Sequence, residues 1–494
     1  QFWEKREFGP TFFQWSHTIG RPPLVIAIVS WYNQTIRGLA WCTRETNHAG
    51  SSYSDLVKGG QIMPASPVAS EPHDSHQGVT GTATGIEGTA GNGQPARPPA
   101  AKDILAKCKG AFMEARVAMK QGYYPYFLPL AENEGTEVEY HGQRLIMAGS
   151  NNYMGLTTDE RVKQAAIEAV RRYGTSCTGS RFLNGTLEMH EQLEHELAEY
   201  VGKEAALVFS TGFQVNLGTI SALVGRDDYV VIDRDDHASI VDGCRLALGE
   251  MKRFHHNNAH DLERVLARLP ADKGKLVVVD GVFSMGGDIA PLPEYIPICQ
   301  AYGARLMVDD AHSIGVLAGG RGTAAHFGVT SDVDLIMCTF SKAFASLGGF
   351  IAGDEEVMHY IKHSARSLIF SASMPPSNTA AALAALRIMR EEPERADRVL
   401  ANAQRVRTGL QALGFDTGQS ETAVVPVIIG DDMKTIFVWN ALFKAGLFVN
   451  PVLPPAVPPN QALLRTSYMA THTDEQLDRV VDIFARVGKQ FGLI

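Results

Sequence analysis

From residue 103 onward the apolar positions follow two periods. In DERVKQAAIEAVRRYG (159–174) and LEMHEQLEHELAEYVG (187–202) they recur three and four apart, which predicts helices. AALVFS, YVVID, KLVVVDGVF, RLMVDD and DLIMC are instead short, β-branched and apolar throughout, which predicts strands buried on both faces. Such strands alternating with helices predict an α/β fold built on a mainly parallel sheet. Upstream, DILAKCKGAFMEARVAMKQG (103–122) predicts a first helix ended at the GYYPYF turn. After about Pro393, long helices surround VVPVIIG, FVNPVLPP and LLRTSYM, which predicts a smaller α+β domain.

Residues 50–100 break this texture. The stretch includes GVTGTATGIEGTAGNGQPARPPA and has scarcely any large apolar side chain, so it cannot offset the entropy of ordering and is expected to be a disordered linker. The expected organisation is a leader and linker over 1–100, an N-terminal helix and arm over 101–155, a large domain over 156–390 and a small domain over 391–494. The apolar stretch 23–32 has roughly ten residues where a membrane span needs about 20. It is expected to be an irregular leader, with an aromatic-rich interfacial helix over 15–41 as the alternative.

The formal charge is −9, from 54 acidic and 45 basic residues, and no basic run could neutralise a row of phosphates. Nucleic acid is therefore excluded as an expected partner. The six cysteines, Cys42, Cys108, Cys177, Cys244, Cys299 and Cys338, lie far apart with no CxxC pair, which predicts reduced thiols, no disulfide and no metal site.

In parallel sheets, ligands sit beyond the carboxyl ends of the strands, so chemistry is sought just after each apolar run. Lys342, in CTFSKAF, follows the DLIM run; a lone Ser-Lys pair would read as a solvated loop, but a desolvated lysine there has the free amine that imine formation needs. Asp309 and His312, in DDAH, follow RLMV and alone would suit a helix cap or a metal as well. Ser210-Thr211-Gly212-Phe213-Gln214 places small residues at a helix start after AALVF, a phosphate-binding arrangement. His237 follows YVVID and could stack on a ring, although a lone histidine is more often structural. Phosphate loop, histidine, DxxH and lysine arrive in order after successive strands, and that order suits pyridoxal phosphate (PLP), whose ring nitrogen must stay protonated beside a carboxylate such as Asp309.

From about residue 124 to the C-terminus the chain resembles the α-oxoamine synthases of the fold-type I PLP enzymes, through SNNYMGL, YGTSCTGSRFLNGT, HASIVDG, DGVFSMGGDIAPL, VDDAHSIG and the lysine motif. The fold implied is a seven-stranded large domain with a smaller C-terminal α+β domain. Within the family, TFSK, LIFSASMPPS and NPVLPPAVPPNQALLRTSYMATHT are most similar to the bacterial homodimeric serine palmitoyltransferases, whereas relatives acting on other substrates tend to carry TLGK. The resemblance implies that Lys342 holds PLP, Asp309 pairs with the ring nitrogen, His312 and Ser284 contact the phenolic side and His237 stacks on the ring. Gly212, Phe213, Thr339 and Ser341 would surround the phosphate, and Ser371 would reach the phosphate in a neighbouring subunit. Asn152 and Arg465 would take the amino-acid carboxylate, with Ser180 and Arg181 also at the substrate. Phe213 stands where some relatives have tyrosine, so a hydroxyl contact is lost there.

The implied reaction is the decarboxylating condensation of L-serine with palmitoyl-CoA or another long-chain acyl-CoA to 3-ketodihydrosphingosine, by a cytoplasmic homodimer with at most peripheral contact with the inner membrane face. A glycine C-acetyltransferase or 8-amino-7-oxononanoate synthase would share every cofactor residue. A non-catalytic partner subunit would lack Lys342.

Overall fold

The computed structural model describes residues 103–133 and 135–494, so the predicted linker and both readings of the leader lie outside the described residues. Residues 103–113 are the described part of a separate unit, and in it Ala106–Cys108 make a single 3-10 turn. The predicted helix over 103–122 forms only as Met113–Gln121, because Gly110 and Phe112 adopt left-handed backbone with φ of 74° and 56°. It ends at Gly122, also left-handed and the first residue of the predicted GYYPYF turn, where the Tyr123 N–H returns to the Ala118 carbonyl.

The arm strands β1 (Glu132–Asn133), β2 (Glu137–Tyr140) and β3 (Gln143–Met147) form a meander. Five parallel strands follow the predicted apolar runs or lie between them: β5 (Tyr229–Asp233), β6 (Glu250–Phe254), β7 (Lys275–Asp280), β8 (Arg305–Asp309) and β9 (Leu335–Thr339). With β4 (Ala205–Phe209) and β10 (Gly349–Gly353) they make one seven-stranded sheet of order β4-β10-β9-β8-β7-β5-β6, in which β10 runs antiparallel to both neighbours.

Period-two alternation divides each central strand between two cores. Val277 and Val279 of β7, Leu306 and Val308 of β8, and Ile336 and Cys338 of β9 enter one hydrophobic cluster. Leu276 and Val278, Met307, and Leu335 and Met337 enter the cluster on the opposite face. Each fully buried aliphatic side chain contributes about 1.5–3 kcal/mol, and both faces are covered, so the strands read as continuous apolar runs.

The C-terminal part packs the helices Glu394–Ala412, Asp432–Lys444 and Asp474–Gln490 with β11 (Val424–Gly430), β13 (Asn450–Val452) and β14 (Ala462–Ser467). β3 of the arm pairs in parallel with β12 (Leu447–Phe448), and the arm residues Val138, Leu145 and Ile146 share the core of this part. A short hairpin closed by the Val282–Ile289 bridge leaves the end of β7 and reaches the same part: the Gly287 carbonyl accepts from Thr422 Oγ1 and the Glu421 N–H. Among the described residues, no helix is long and apolar enough to cross a membrane.

Candidate active site

Five strands deliver their following residues to one cavity of about 260 Å3, lined by Thr211, Gly212 and Phe213 after β4, His237 and Ser239 after β5, Asp280 of β7, Asp309, Ala311 and His312 of and after β8, and Thr339, Ser341 and Lys342 of and after β9. Eight of the residues singled out from the sequence therefore meet on this wall: Gly212, Phe213, His237, Asp309, His312, Thr339, Ser341 and Lys342.

Gly212 opens the helix Gly212–Leu223, and Thr211 caps it by accepting the Gln214 N–H at 3.2 Å. A Cβ on Gly212 would come within 2.5 Å of Thr339 Cβ and Oγ1, so only glycine lets this helix end approach the end of β9. Its unpaired N–H groups and the Ser341 and Thr339 hydroxyls, 2.9 Å apart, converge on one corner suited to an anion.

Asp309 accepts from Asn216 Nδ2 at 2.7 Å and from the Ala311 N–H at 3.1 Å. In the β7–β8 register Asp280 is its partner across the ladder, so the two carboxyls stand side by side. Burial, and then the charge of Asp309, raise the pKa of Asp280 well above the usual carboxylate value. Its Oδ1 is buried and has no hydrogen-bond partner. Burial, then the opposed carboxyls of Asp280 and Asp233, raise Asp236 in the same way.

Burial lowers the pKa of Lys342, with Asp309 opposing the shift. Burial, followed by the charges of Lys342 and Arg465, also lowers His312 well below its ordinary value, which favours a neutral imidazole. His237 Nδ1 lies 2.7 Å from Ser239 Oγ and accepts the Ser239 N–H at 3.2 Å, so the Nε2 edge of its exposed ring faces away from that contact. Phe213 stands edge-on to it, ring centroids 6.3 Å apart.

Arg465, on β14, is 5% exposed and touches only neutral groups: Nε donates to the Ser284 carbonyl at 2.6 Å, and Nη2 to Asn151 Oδ1 at 2.9 Å and Tyr153 OH at 3.4 Å. Among the described residues no carboxylate pairs with it. A buried guanidinium without an anion is costly unless one arrives, and its planar pair of donors suits a carboxylate.

Other sequence expectations differ in their outcome. Ser284 meets Arg465 through its backbone carbonyl, and that contact is its tie to the site. Asn152 spends Oδ1 and one amide hydrogen on its own turn, through the Leu156 N–H and Thr157 Oγ1, and Asn151 takes the position at Arg465. Arg181 does not line the cavity: its side chain is 6% exposed and is neutralised by Glu194 at 2.7 Å. Ser180 is likewise absent from the wall, and its Oγ is buried without a hydrogen-bond partner among the described residues. Ser371 accepts from Gln214 Nε2 at 2.8 Å and does not line the cavity.

Sequence reasoning missed Asn216, Ser239, Asp280, Asn151 and Tyr153. Asn216 had a legible signal, a polar residue in the otherwise apolar helical pattern GFQVNLGTISAL, and it is wholly buried. The wall fits PLP: an anion corner at Gly212, a hydrogen-bonded carboxylate at Asp309 for a ring nitrogen, and the depressed amine of Lys342 within one cavity.

The family model described as aminotransferase class I and II matches residues 144–484. A serine palmitoyltransferase of Sphingobacterium spiritivorum is 52% identical over 371 residues, covering 75% of this chain and 93% of its own. An 8-amino-7-oxononanoate synthase of Geobacter sulfurreducens is 44% identical over 384 residues, covering 77% and 98%. Among solved structures, a serine palmitoyltransferase from S. paucimobilis with PLP–myriocin bound superposes with a TM-score of 0.77 at 38% identity, covering 80% of this chain and all of that one.

Proposed function

The chain belongs to the class I and II aminotransferase family, and from that premise we propose that it is a PLP-dependent serine palmitoyltransferase, an acyltransferase of the α-oxoamine synthase type. It joins L-serine to palmitoyl-CoA or a similar long-chain thioester, releasing CO2 and CoA and leaving a 3-keto amine. The observation that carries the amino-acid half is Arg465, a buried guanidinium with no anionic partner among the described residues, beside a cavity holding Lys342 and Asp309. The acyl half rests on the 52% identity to a serine palmitoyltransferase, against 44% for an oxononanoate synthase.

PLP, when bound, supplies an aldehyde for an imine and an electron sink that stabilises a carbanion at the amino-acid Cα. Lys342 Nζ would hold it, and burial, which lowers its pKa, favours the neutral amine that acts first as a nucleophile and then as the base for the Cα proton. The Asp309 carboxylate would hold a proton on the ring nitrogen, steadied by Asn216. His312 would donate toward the phenolic oxygen and His237 would cover the ring face. Arg465 grips the serine carboxylate, which sets the Cα bonds relative to the ring plane. The raised pKa of Asp280 favours its protonated form, which disfavours a second negative charge beside Asp309.

We further infer a homodimer. Phe182, Leu183 and Phe370 are 59%, 77% and 74% exposed, and their segments are tied by the bond from the Ser373 N–H to the Gly179 carbonyl. Large apolar side chains left open on neighbouring segments fit a second subunit, and Ser371, next to Phe370, would then reach the partner's phosphate corner. Any membrane contact is peripheral.

The test is to assay the PLP-loaded protein with serine, glycine and alanine against acetyl-CoA, pimeloyl-CoA and palmitoyl-CoA. Highest kcat/KM with serine and palmitoyl-CoA is expected. A preference for alanine with pimeloyl-CoA, or glycine with acetyl-CoA, would move the chain to the corresponding synthase.

A further inference from the structure

We propose that Tyr153 is a positioning residue that fixes the tautomer of His312 and ties it to the carboxylate receptor Arg465. The proposal rests on the reading above for what faces His312, but the contacts themselves belong to this chain alone.

Tyr153 is fully buried, and its hydroxyl lies 2.7 Å from His312 Nδ1. The two rings are tilted by 58° with centroids 6.1 Å apart, so they meet through the hydroxyl and not by stacking. The same oxygen receives Arg465 Nη2 at 3.4 Å and has Asn151 Oδ1 at 3.2 Å. A phenol has one hydrogen and can give it to His312 or to Asn151, not to both. Arg465 Nη2 already supplies Asn151 Oδ1 at 2.9 Å, while the contact to His312 is the shorter of the two open to the hydroxyl. The hydrogen therefore goes to Nδ1, and the imidazole carries its own on Nε2, the nitrogen left to the cavity lined by His312. A donor at Nε2 suits an anionic oxygen on the ligand, and the opposite tautomer would present a lone pair to it. Arg465 polarises the phenol and strengthens this donation, so the group that receives the amino-acid carboxylate also bears on the group that faces the cofactor.

The backbone of Tyr153 is held independently of its hydroxyl. Its N–H bonds the Asn151 carbonyl at 2.8 Å, and its carbonyl accepts the Ala470 N–H at 2.7 Å. Tyr153→Phe thus removes the donor and leaves the ring packed.

The experiment uses the full chain, ¹⁵N-labelled at histidine, with and without PLP, and His312→Gln to assign the signal. In the unsubstituted protein the His312 nitrogens should show a single Nε2–H tautomer. In Tyr153→Phe they should average toward a mixture, the absorption band of the PLP-loaded protein should shift, and serine affinity should fall about five- to tenfold with the KM for palmitoyl-CoA unchanged. Asn151→Ala, which removes the competing acceptor, should keep the Nε2–H tautomer. Unchanged His312 nitrogens in a folded Tyr153→Phe protein would overturn the proposal, as would loss of the tautomer in Asn151→Ala. The cofactor-free spectra read this contact even if the parent protein fails to respond to serine, a failure that would instead count against the proposed function.

Discussion

The side-chain amide of Asn216 donates to Asp309 Oδ2 at 2.7 Å and, with its other hydrogen, to Ser239 Oγ at 2.8 Å. Ser239 in turn bonds His237, so one wholly buried amide in the helix Gly212–Leu223 orients the Asp309 carboxylate and the His237 ring together. Replacing Asn216 by alanine frees both. A hydrogen bond to a charged group is worth about 1.5–3 kcal/mol, so kcat should fall about 10- to 100-fold with PLP still bound. Turnover equal to the parent at saturating PLP would show that Asp309 needs no such support.

How much of this was legible in the sequence depended on whether the signal was local. Gly212, His237, Asp309 and Lys342 each follow an apolar run, so the rule for parallel sheets is enough to place them together on one edge. β6 escaped because its sequence, EMKRF, carries three charged residues in five, which only an outer strand tolerates, and β10 because GFIAG has glycine at both ends. The pairing of Asp280 with Asp309 depends on the β7–β8 register, and Tyr153 meets His312 and Arg465 across 159 and 312 residues. The resemblance put Arg181 at the substrate, yet Glu194, thirteen residues on, neutralises it. Spacing cannot distinguish a buried ion pair from an open cation.

The paired carboxyls predict opposite responses to a neutral substitution. Burial and the neighbouring Asp309 charge raise the pKa of Asp280 and favour its protonated form, whose shape and neutrality Asp280→Asn keeps. Its raised folded-state pKa means that Asp280 costs stability once the pH exceeds its unfolded value near 4. Asp280→Asn should therefore be at least as heat-stable as the parent at pH 7–8 and keep most activity, whereas Asp309→Asn should lose about 100-fold or more in kcat. Equal losses in the two variants would contradict the assignment.

His256 bridges Asp233 at 3.1 Å and Asp288 at 2.9 Å, joining the end of β5 to the hairpin that carries Ser284. Burial alone would lower its pKa, but the bonds and charges of the two carboxylates outweigh burial and raise it to about 10. The folded state thus favours the protonated ring. Its stabilisation is complete below the unfolded value of about 6.5, declines as the pH rises and is gone above about 10. Thermal melts of the parent and His256→Gln should differ most near pH 6 and converge toward pH 10. A gap that widens with pH would refute this account.

Arg465 offers the sharpest separation between the two substrates, because its guanidinium faces neutral partners and waits for a carboxylate. Arg465→Lys keeps the charge but loses the planar two-pronged grip, so serine should bind about 100-fold more weakly while palmitoyl-CoA, which meets other parts of the protein, keeps its KM. Stability reports the same loss without turnover. At serine equal to about 100 times the parent's Kd, binding adds about 2.7 kcal/mol to the parent. At that concentration the variant sits near its own Kd and gains only about 0.4 kcal/mol, so the serine-induced rise in Tm should nearly vanish. Glycine and alanine carry the same carboxylate and should lose their effect in parallel. If the variant instead kept the parent's serine-induced shift and lost affinity for the thioester, Arg465 would belong to the acyl-CoA side of the site, and the amino-acid carboxylate would have to be sought at Asn152, whose second amide hydrogen has no partner among the described residues.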